Sequence, residues 1–156
     1  MSAITYCTGW NRIFKEPAEV LTADEARQRH QERKPYSAIV EDEHGLAVVE
    51  MCFFQVYGHV LFLDDRKRVA NRYSFVETAD GRLFLEEAAV HYYSDNGDRP
   101  SHGEIFHFGE DGSLSHDNGK TGGPITRREG GRADVSRNYA SVPEFGRYDS
   151  ILARER

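Results

Sequence analysis

The chain has 156 residues and a mass of 17.8 kDa; 38% of its residues are hydrophobic, 12% aromatic and 29% charged, and its net charge is −6. This length predicts a single domain, residues 1–156, with a core of its own, and the aromatic content excludes a disordered chain. The acidic balance argues against nucleic acid as a partner, because phosphate binding needs a basic surface.

The first part of the chain predicts one strand and one helix. Residues 4–14 alternate loosely between apolar and polar side chains, which favours a strand. Thr22 with Glu25 three positions later has the spacing of a capping box, so a helix is expected over 23–33, ending before Pro35. Its body is polar on nearly every side, which places it on the surface.

From Tyr36 onward the pattern predicts consecutive strands. Short turns such as Ala79-Asp80-Gly81 separate them, and these are too short for the crossovers of a parallel sheet. We therefore predict an α+β fold with an antiparallel meander of about six strands, curved or barrel-like. The predicted strands cover residues 36–41, 46–56, 58–64, 69–78, 82–94 and 104–108, with one more short strand opening at Leu114.

The last part of the chain changes character. Residues 117–141 contain five glycines and few apolar side chains, so we expect a glycine-rich loop or a partly flexible segment. Residues 143–156 regain apolar side chains and predict a short final helix that docks on the sheet.

The cysteines and the ends indicate the compartment. The chain starts without a basic, apolar leader and has no apolar stretch near the ~20 residues of a membrane span, so we expect a cytoplasmic protein that binds no membrane. Cys7 and Cys52 are then expected to be reduced, with Cys52 buried and inert. The Arg-, Asp- and Gly-rich composition suits a bacterial genome.

Three histidines fall beside apolar residues on predicted strands: His59, His91 and His107. With a period of two, His59 shares a face with Tyr57 and Leu61, His91 with Leu83, Leu85 and Ala89, and His107 with Ile105. One interpretation is a pocket in which histidine transfers protons, since its pKa lies near neutral pH. The other is three separate structural histidines, because no spacing forces them together.

Glu86 and Glu87 interrupt a predicted strand. One of them must face inward or lie at a bend, and a carboxylate held against an apolar face has a raised pKa, which is common at functional sites. Glu86 is therefore a further candidate catalytic residue.

No pattern predicts a metal or a cofactor. Alternating His-x-His is absent, and Gly119-Lys120-Thr121 lacks the glycine, strand and helix of a phosphate-binding loop. Asp95-Asn96-Gly97-Asp98 lacks the spacing of a calcium loop.

Two functional hypotheses remain. The first is a small acidic binding protein, such as an inhibitor or an immunity-type antidote of a basic partner protein, which would bind through Asp64, Asp65, Glu110 and Asp111 on turns. The second is a small enzyme of the isomerase, cyclase or hydratase type, with a small apolar molecule as substrate.

In the enzyme hypothesis aromatic side chains line the pocket beside the histidines. These are Tyr57, Tyr73, Tyr92 and Tyr93. One polar helix cannot cover both faces of such a sheet, so the second face needs the glycine-rich segment, a ligand or a second subunit. A homodimer is the simplest of these covers.

Overall fold

The computed structural model describes residues 3–155 and builds them mainly from strands. The helices are α1 (Ala23–Gln31), α2 (Asp149–Leu152) and a 3-10 turn at Ser136–Asn138. The strands are β1 (Ala3–Cys7), β2 (Trp10–Asn11), β3 (Glu16–Pro17), β4 (Val20–Leu21), β5 (Tyr36–Asp42), β6 (Gly45–Met51), β7 (Gly58–Leu63), β8 (Val69–Glu77), β9 (Leu83–Tyr92), β10 (His102–Phe108), β11 (Ser113–Lys120), β12 (Ile125–Arg132) and β13 (Tyr139–Ala140).

One antiparallel sheet of eleven strands dominates the fold. β5 to β12 follow one another as a meander, β1 and β4 extend it beyond β5, and β13 pairs with β9. β2 and β3 form a separate two-stranded hairpin. The antiparallel α+β fold with two helices is confirmed, whereas the expected count of about six strands is too low and the sheet is open rather than closed.

The capping box of α1 is confirmed. The backbone N–H of Glu25 donates to Thr22 Oγ1 at 3.2 Å, and the backbone N–H of Thr22 donates to Glu25 Oε2 at 2.8 Å. Only Ala26 of this helix is buried, as a polar surface helix predicts. The helix and residues 140–152 cover one side of the sheet, which we call the helix face.

A chain of side-chain hydrogen bonds attaches the helix and the C-terminal segment to the sheet. The Tyr36 hydroxyl is hydrogen-bonded to the Tyr148 hydroxyl and to His30 Nδ1, each at 2.8 Å. Tyr36 is 1% exposed, and burial raises the pKa of Tyr148 to about 12. α1, β5 and the C-terminal segment are thus joined by hydrogen bonds among two buried hydroxyls and a half-buried histidine.

The opposite side, the hairpin face, has a smaller apolar core. Cys7, Val48 and Leu61 are among its fully buried residues, and Trp10 of β2 packs against them. Cys7 is therefore the inert buried thiol, whereas Cys52, expected in that role, is only half-buried.

The largest difference from expectation lies in residues 117–141, where the structure has the second half of β11, the whole of β12, a 3-10 turn and β13 instead of a loop. Backbone hydrogen bonds hold this hairpin, so it does not need an apolar side-chain pattern. Opposite Ser115, Glu129 and Gly130 form a bulge, with Gly130 at φ 78°. This bulge and the charged arginines of β12 hinder pairing of this edge strand with a strand of another chain.

Candidate functional site

A row of polar side chains crosses the hairpin face from strand to strand. The register pairs Ser37 with Glu50, Glu50 with His59, His59 with Ser74, Ser74 with Glu87, and Glu87 with His107. Residues two apart on a strand have their side chains on the same face of the sheet. Each of the six lies two residues from a position that faces the hairpin face, so all six side chains lie on that face. We call these six residues the polar row.

His59 is held inside this row. Its Nδ1 is 2.8 Å from Ser74 Oγ, and Ser74 is 3% exposed. Burial is the main cause that lowers the pKa of His59; Glu50 opposes this shift and Arg72 reinforces it. The imidazole is therefore neutral at neutral pH, as a proton acceptor must be, but its serine partner is closed to solvent.

The outer half of the row is an ion-pair network. Arg72 pairs with Glu87, and His107 Nε2 lies 3.1 Å from Asp117 Oδ2. Arg127 Nε donates to Asp117 Oδ1 at 2.6 Å, and Arg127, followed by His107, holds the pKa of Asp117 well below its usual range. Each of these charged groups thus has an ion-pair or hydrogen-bond partner within the network. One atom, Arg72 Nε, is buried without a hydrogen-bond partner among the described residues.

Glu86 is the extra residue of a β-bulge. Ser74 pairs with Glu87 and Phe75 with Leu85, so Glu86 has no partner on β8. Burial, followed by the nearby Glu87, raises the pKa of Glu86. The bulge also reverses the faces of β9: Leu83 and Leu85 lie in the core of the helix face, and not beside His91 as strict alternation predicts.

His91 lies between two recesses on the hairpin face. On one side is a cavity of about 120 Å³. On the other is a groove of about 270 Å³, which exists because the neighbours of His91 along the register, Gly103 and Gly119, carry no side chains. Burial, followed by the charges of Arg72 and Arg12, lowers the pKa of His91.

The β2–β3 hairpin projects from the sheet beside this cavity. Its loop, residues 12–15, is fixed by Asn11, whose Oδ1 accepts hydrogen bonds from the backbone N–H groups of Ile13 and Phe14, both at 3.0 Å. Lys15 sits at φ 56° and its Nζ is 2.7 Å from Asp98. Despite this fixed backbone, Ile13 is 81% and Phe14 71% exposed. We call residues 12–15 the β2–β3 loop.

The predicted acidic binding residues are mostly occupied by internal contacts. Asp64 Oδ1 accepts the backbone N–H groups of Arg66 and Arg68, both at 2.9 Å. Glu110 accepts the Tyr139 hydroxyl at 3.0 Å, and Asp111 accepts the backbone N–H of Ser113 at 2.9 Å. Asp65 is exposed and has no such contact among the described side chains.

The four predicted tyrosines do not form one wall. Tyr57 and Tyr73 pack on the helix face, where the Tyr73 hydroxyl donates to the Arg154 carbonyl at 2.8 Å. Tyr92 is exposed and donates to Glu104 at 2.6 Å. Only Tyr93 lies near His91, with its hydroxyl donating to the Val69 carbonyl.

The three histidines share a face but not a site. His59 and His107 lie three strands apart, about 14 Å at the usual strand spacing, and His91 lies four residues from the polar row. Within residues 3–155 no three His, Cys, Asp or Glu side chains form a group that could hold a metal ion. No helix in that range is long and apolar enough to cross a membrane.

Sequence reasoning missed the β2–β3 loop, because residues 4–14 resemble one continuous strand. The signal was Asn11, a residue that initiates turns by accepting backbone hydrogen bonds.

Comparisons with protein-family models, with curated proteins and with solved structures find no match to this chain.

Proposed function

We propose that the protein is a binding module that docks on a partner protein through the β2–β3 loop, residues 12–15, which we call the docking loop from here on. The observation that carries this proposal is a pair of adjacent apolar side chains, Ile13 and Phe14, exposed on a backbone that hydrogen bonds hold in place. Exposed apolar side chains that are grouped together are typical of interaction sites.

The fixed backbone favours tight binding. A loop that is ordered before association loses little conformational entropy when it docks. Lys15 at positive φ supports the same view, since strained non-glycine residues collect at functional loops. Burying one Phe side chain contributes about 1.5–3 kcal/mol, which corresponds to a factor of about 10 to 150 in the dissociation constant.

The two apolar side chains indicate the contact surface of the partner. Arg12 and Lys15, which flank them in sequence, line the cavity beside His91, and Lys15 pairs with Asp98, so the complementary surface is an apolar pocket. The net charge of −6 acts at longer range and favours a partner that is basic elsewhere, as an inhibitor or immunity-type antidote would need. The two free thiols support a reducing compartment such as the bacterial cytoplasm.

A small enzyme is the second candidate function, and the position of His91 between two recesses favours it. The two recesses beside His91, at about 120 Å³ and about 270 Å³, are each smaller than the 300–1,000 Å³ usual for small-molecule sites. Of the predicted catalytic residues, His59 is hydrogen-bonded to a buried serine, and His107 Nε2 is occupied by a contact with Asp117 Oδ2 at 3.1 Å. Binding is therefore the function that the geometry supports better.

Site-specific photocrosslinking in the native cell tests the proposal. The photoreactive side chain benzoylphenylalanine replaces Phe14 in one variant and Phe54 in the matched control. Phe54 is 87% exposed on the loop between β6 and β7, at the opposite end of the sheet. We expect a discrete adduct with one other protein from position 14 and none from position 54.

Three outcomes would contradict the proposal. These are no adduct from position 14, equal adducts from both positions, and an adduct only at twice the mass of the chain. The last outcome would instead indicate a homodimer formed through the docking loop.

A further inference from the structure

The small cavity beside His91 is surrounded by cations. Arg12 and Lys15 enter from the docking loop, and Lys67 and Arg68 from the turn between β7 and β8. One carboxylate, Asp98, lines it too, and this group is bound to Lys15. The chain as a whole is acidic, with a net charge of −6, so this concentration of positive charge is a local feature of the cavity.

Two of these cations are free to act on a ligand. Arg68 is committed: its Nε donates to Asp64 at 2.8 Å, and its guanidinium lies 4.1 Å from the centre of the Tyr93 ring. The Arg12 and Lys67 side chains, by contrast, have no ion-pair or hydrogen-bond partner among residues 3–155. Asp98 and Asp64 neutralise Lys15 and Arg68, which leaves the positive charges of Arg12 and Lys67 uncompensated, and a bound anion would relieve their repulsion.

The walls of the cavity favour a group attached to an organic body. Trp10, Val69 and Tyr93 line it with apolar surface. Its volume of about 120 Å³ suits a single head group rather than a whole ligand. Past His91, the groove along Gly103 and Gly119 leaves room for the remainder of the molecule.

We infer that this cavity binds the oxyanion head group of a small ligand, a phosphate or a carboxylate, between Arg12 and Lys67. His91 borders the head group from the sheet as a neutral imidazole that can donate one hydrogen bond. The docking loop thus has two sides: Ile13 and Phe14 are exposed to solvent, and Arg12 lines the cavity.

Titration with inorganic phosphate at constant ionic strength tests this site without any partner protein. Trp10 is the only tryptophan, so its fluorescence reports on the cavity wall. We expect a saturable change and a raised unfolding temperature with phosphate, and neither with chloride. Phenyl phosphate and benzoate, titrated in parallel, distinguish a phosphate head group from a carboxylate.

Arg12→Gln and Lys67→Gln should each weaken binding by about tenfold or more, because each removes a charged hydrogen bond. Lys34→Gln, the same change on an exposed lysine next to α1, is the matched control and should leave binding unchanged. Circular dichroism and the unfolding temperature establish that each variant is folded.

Absence of a saturable signal with all three oxyanions would overturn the inference. An equal loss of affinity in Lys34→Gln would do the same, because it would indicate attraction by overall charge. Since no partner is present, failure here leaves the docking proposal standing, and failure of the crosslinking leaves this site standing.

Discussion

Asp64→Ala should destabilise the protein, whereas Asp65→Ala should not, although the two carboxylates are adjacent on one turn. Asp64 accepts hydrogen bonds from the backbone N–H groups of Arg66 and Arg68 and from Arg68 Nε. Asp65 is exposed and makes no such bond. The sequence alone placed both residues on a turn as partner-binding groups and indicated no difference between them.

The magnitude follows from burial. The side chain of Asp64 is 21% exposed and that of Arg68 12%, so this ion pair is screened less than a surface pair. Its loss leaves the guanidinium with two backbone carbonyls, those of Asp95 and Gly97, as acceptors. We expect a loss of about 2 kcal/mol for Asp64→Ala and less than about 0.5 kcal/mol for Asp65→Ala.

Urea unfolding followed by circular dichroism measures both values. At this chain length the loss for Asp64→Ala corresponds to a decrease of about 4–8 °C in the unfolding temperature. Although partial burial raises the pKa of Asp64, the hydrogen bonds from Arg68 and Arg66 outweigh it and keep the pKa below its usual value. The carboxylate therefore stabilises the fold above its unfolded pKa, and the difference from Asp64→Ala should shrink as pH falls through the folded pKa. Equal stabilities of the two variants at neutral pH would refute this reasoning.

Three further substitutions test the fold. Tyr36→Phe removes the buried hydroxyl that is hydrogen-bonded to both Tyr148 and His30, and should lower the free energy of unfolding in urea by about 1–3 kcal/mol; unchanged stability would contradict a stabilising role of these hydrogen bonds. Gly58→Ala places a Cβ 2.7 Å from the Glu50 carbonyl oxygen, so a loss of about 1–3 kcal/mol is expected, and unchanged stability would contradict the close pairing of β6 and β7. Burial lowers the pKa of His59 in the folded protein, so the stability that the neutral ring contributes is lost as pH falls below about 6.5. His59→Phe should therefore flatten the decline in unfolding free energy between neutral and mildly acidic pH. An unchanged pH profile would contradict the burial of that ring.

Local rules predicted the elements whose sequence signals are local. Thr22 and Glu25 define the start of α1 by their spacing alone, and the Asp80-Gly81 turn joins two strands as expected. Hydrophobic periodicity located the strands from β5 to β9 within a few residues, apart from the C-terminal end of β6. What these rules miss are features created by pairing. β12 is exposed at every residue, so no apolar pattern marks it, and the bulge at Glu86 reverses the faces of β9 only because β8 fixes the register.

The candidate site was foreseen only in part. His59, His91 and His107 do lie on one face, but the tyrosines expected beside them divide between the two faces. Tyr57 lies on the helix face, and not on the face predicted for it, because the loop before β7 interrupts the alternation of side chains between the two faces. The docking loop and the cations around the cavity depend on residues distant in sequence, Lys15 with Asp98 for example, and no single-sequence pattern indicates such a contact.

The most direct test of the docking proposal is the dissociation constant of the protein crosslinked at position 14, measured by isothermal titration with the purified wild-type chain, Phe14→Ser and the control Phe54→Ser. We predict that Phe14→Ser weakens binding by at least about tenfold, because an exposed Phe that becomes buried contributes about 1.5–3 kcal/mol. Phe54→Ser should bind as tightly as the wild type. Unchanged affinity in Phe14→Ser, or an equal loss in both variants, would contradict docking through this loop.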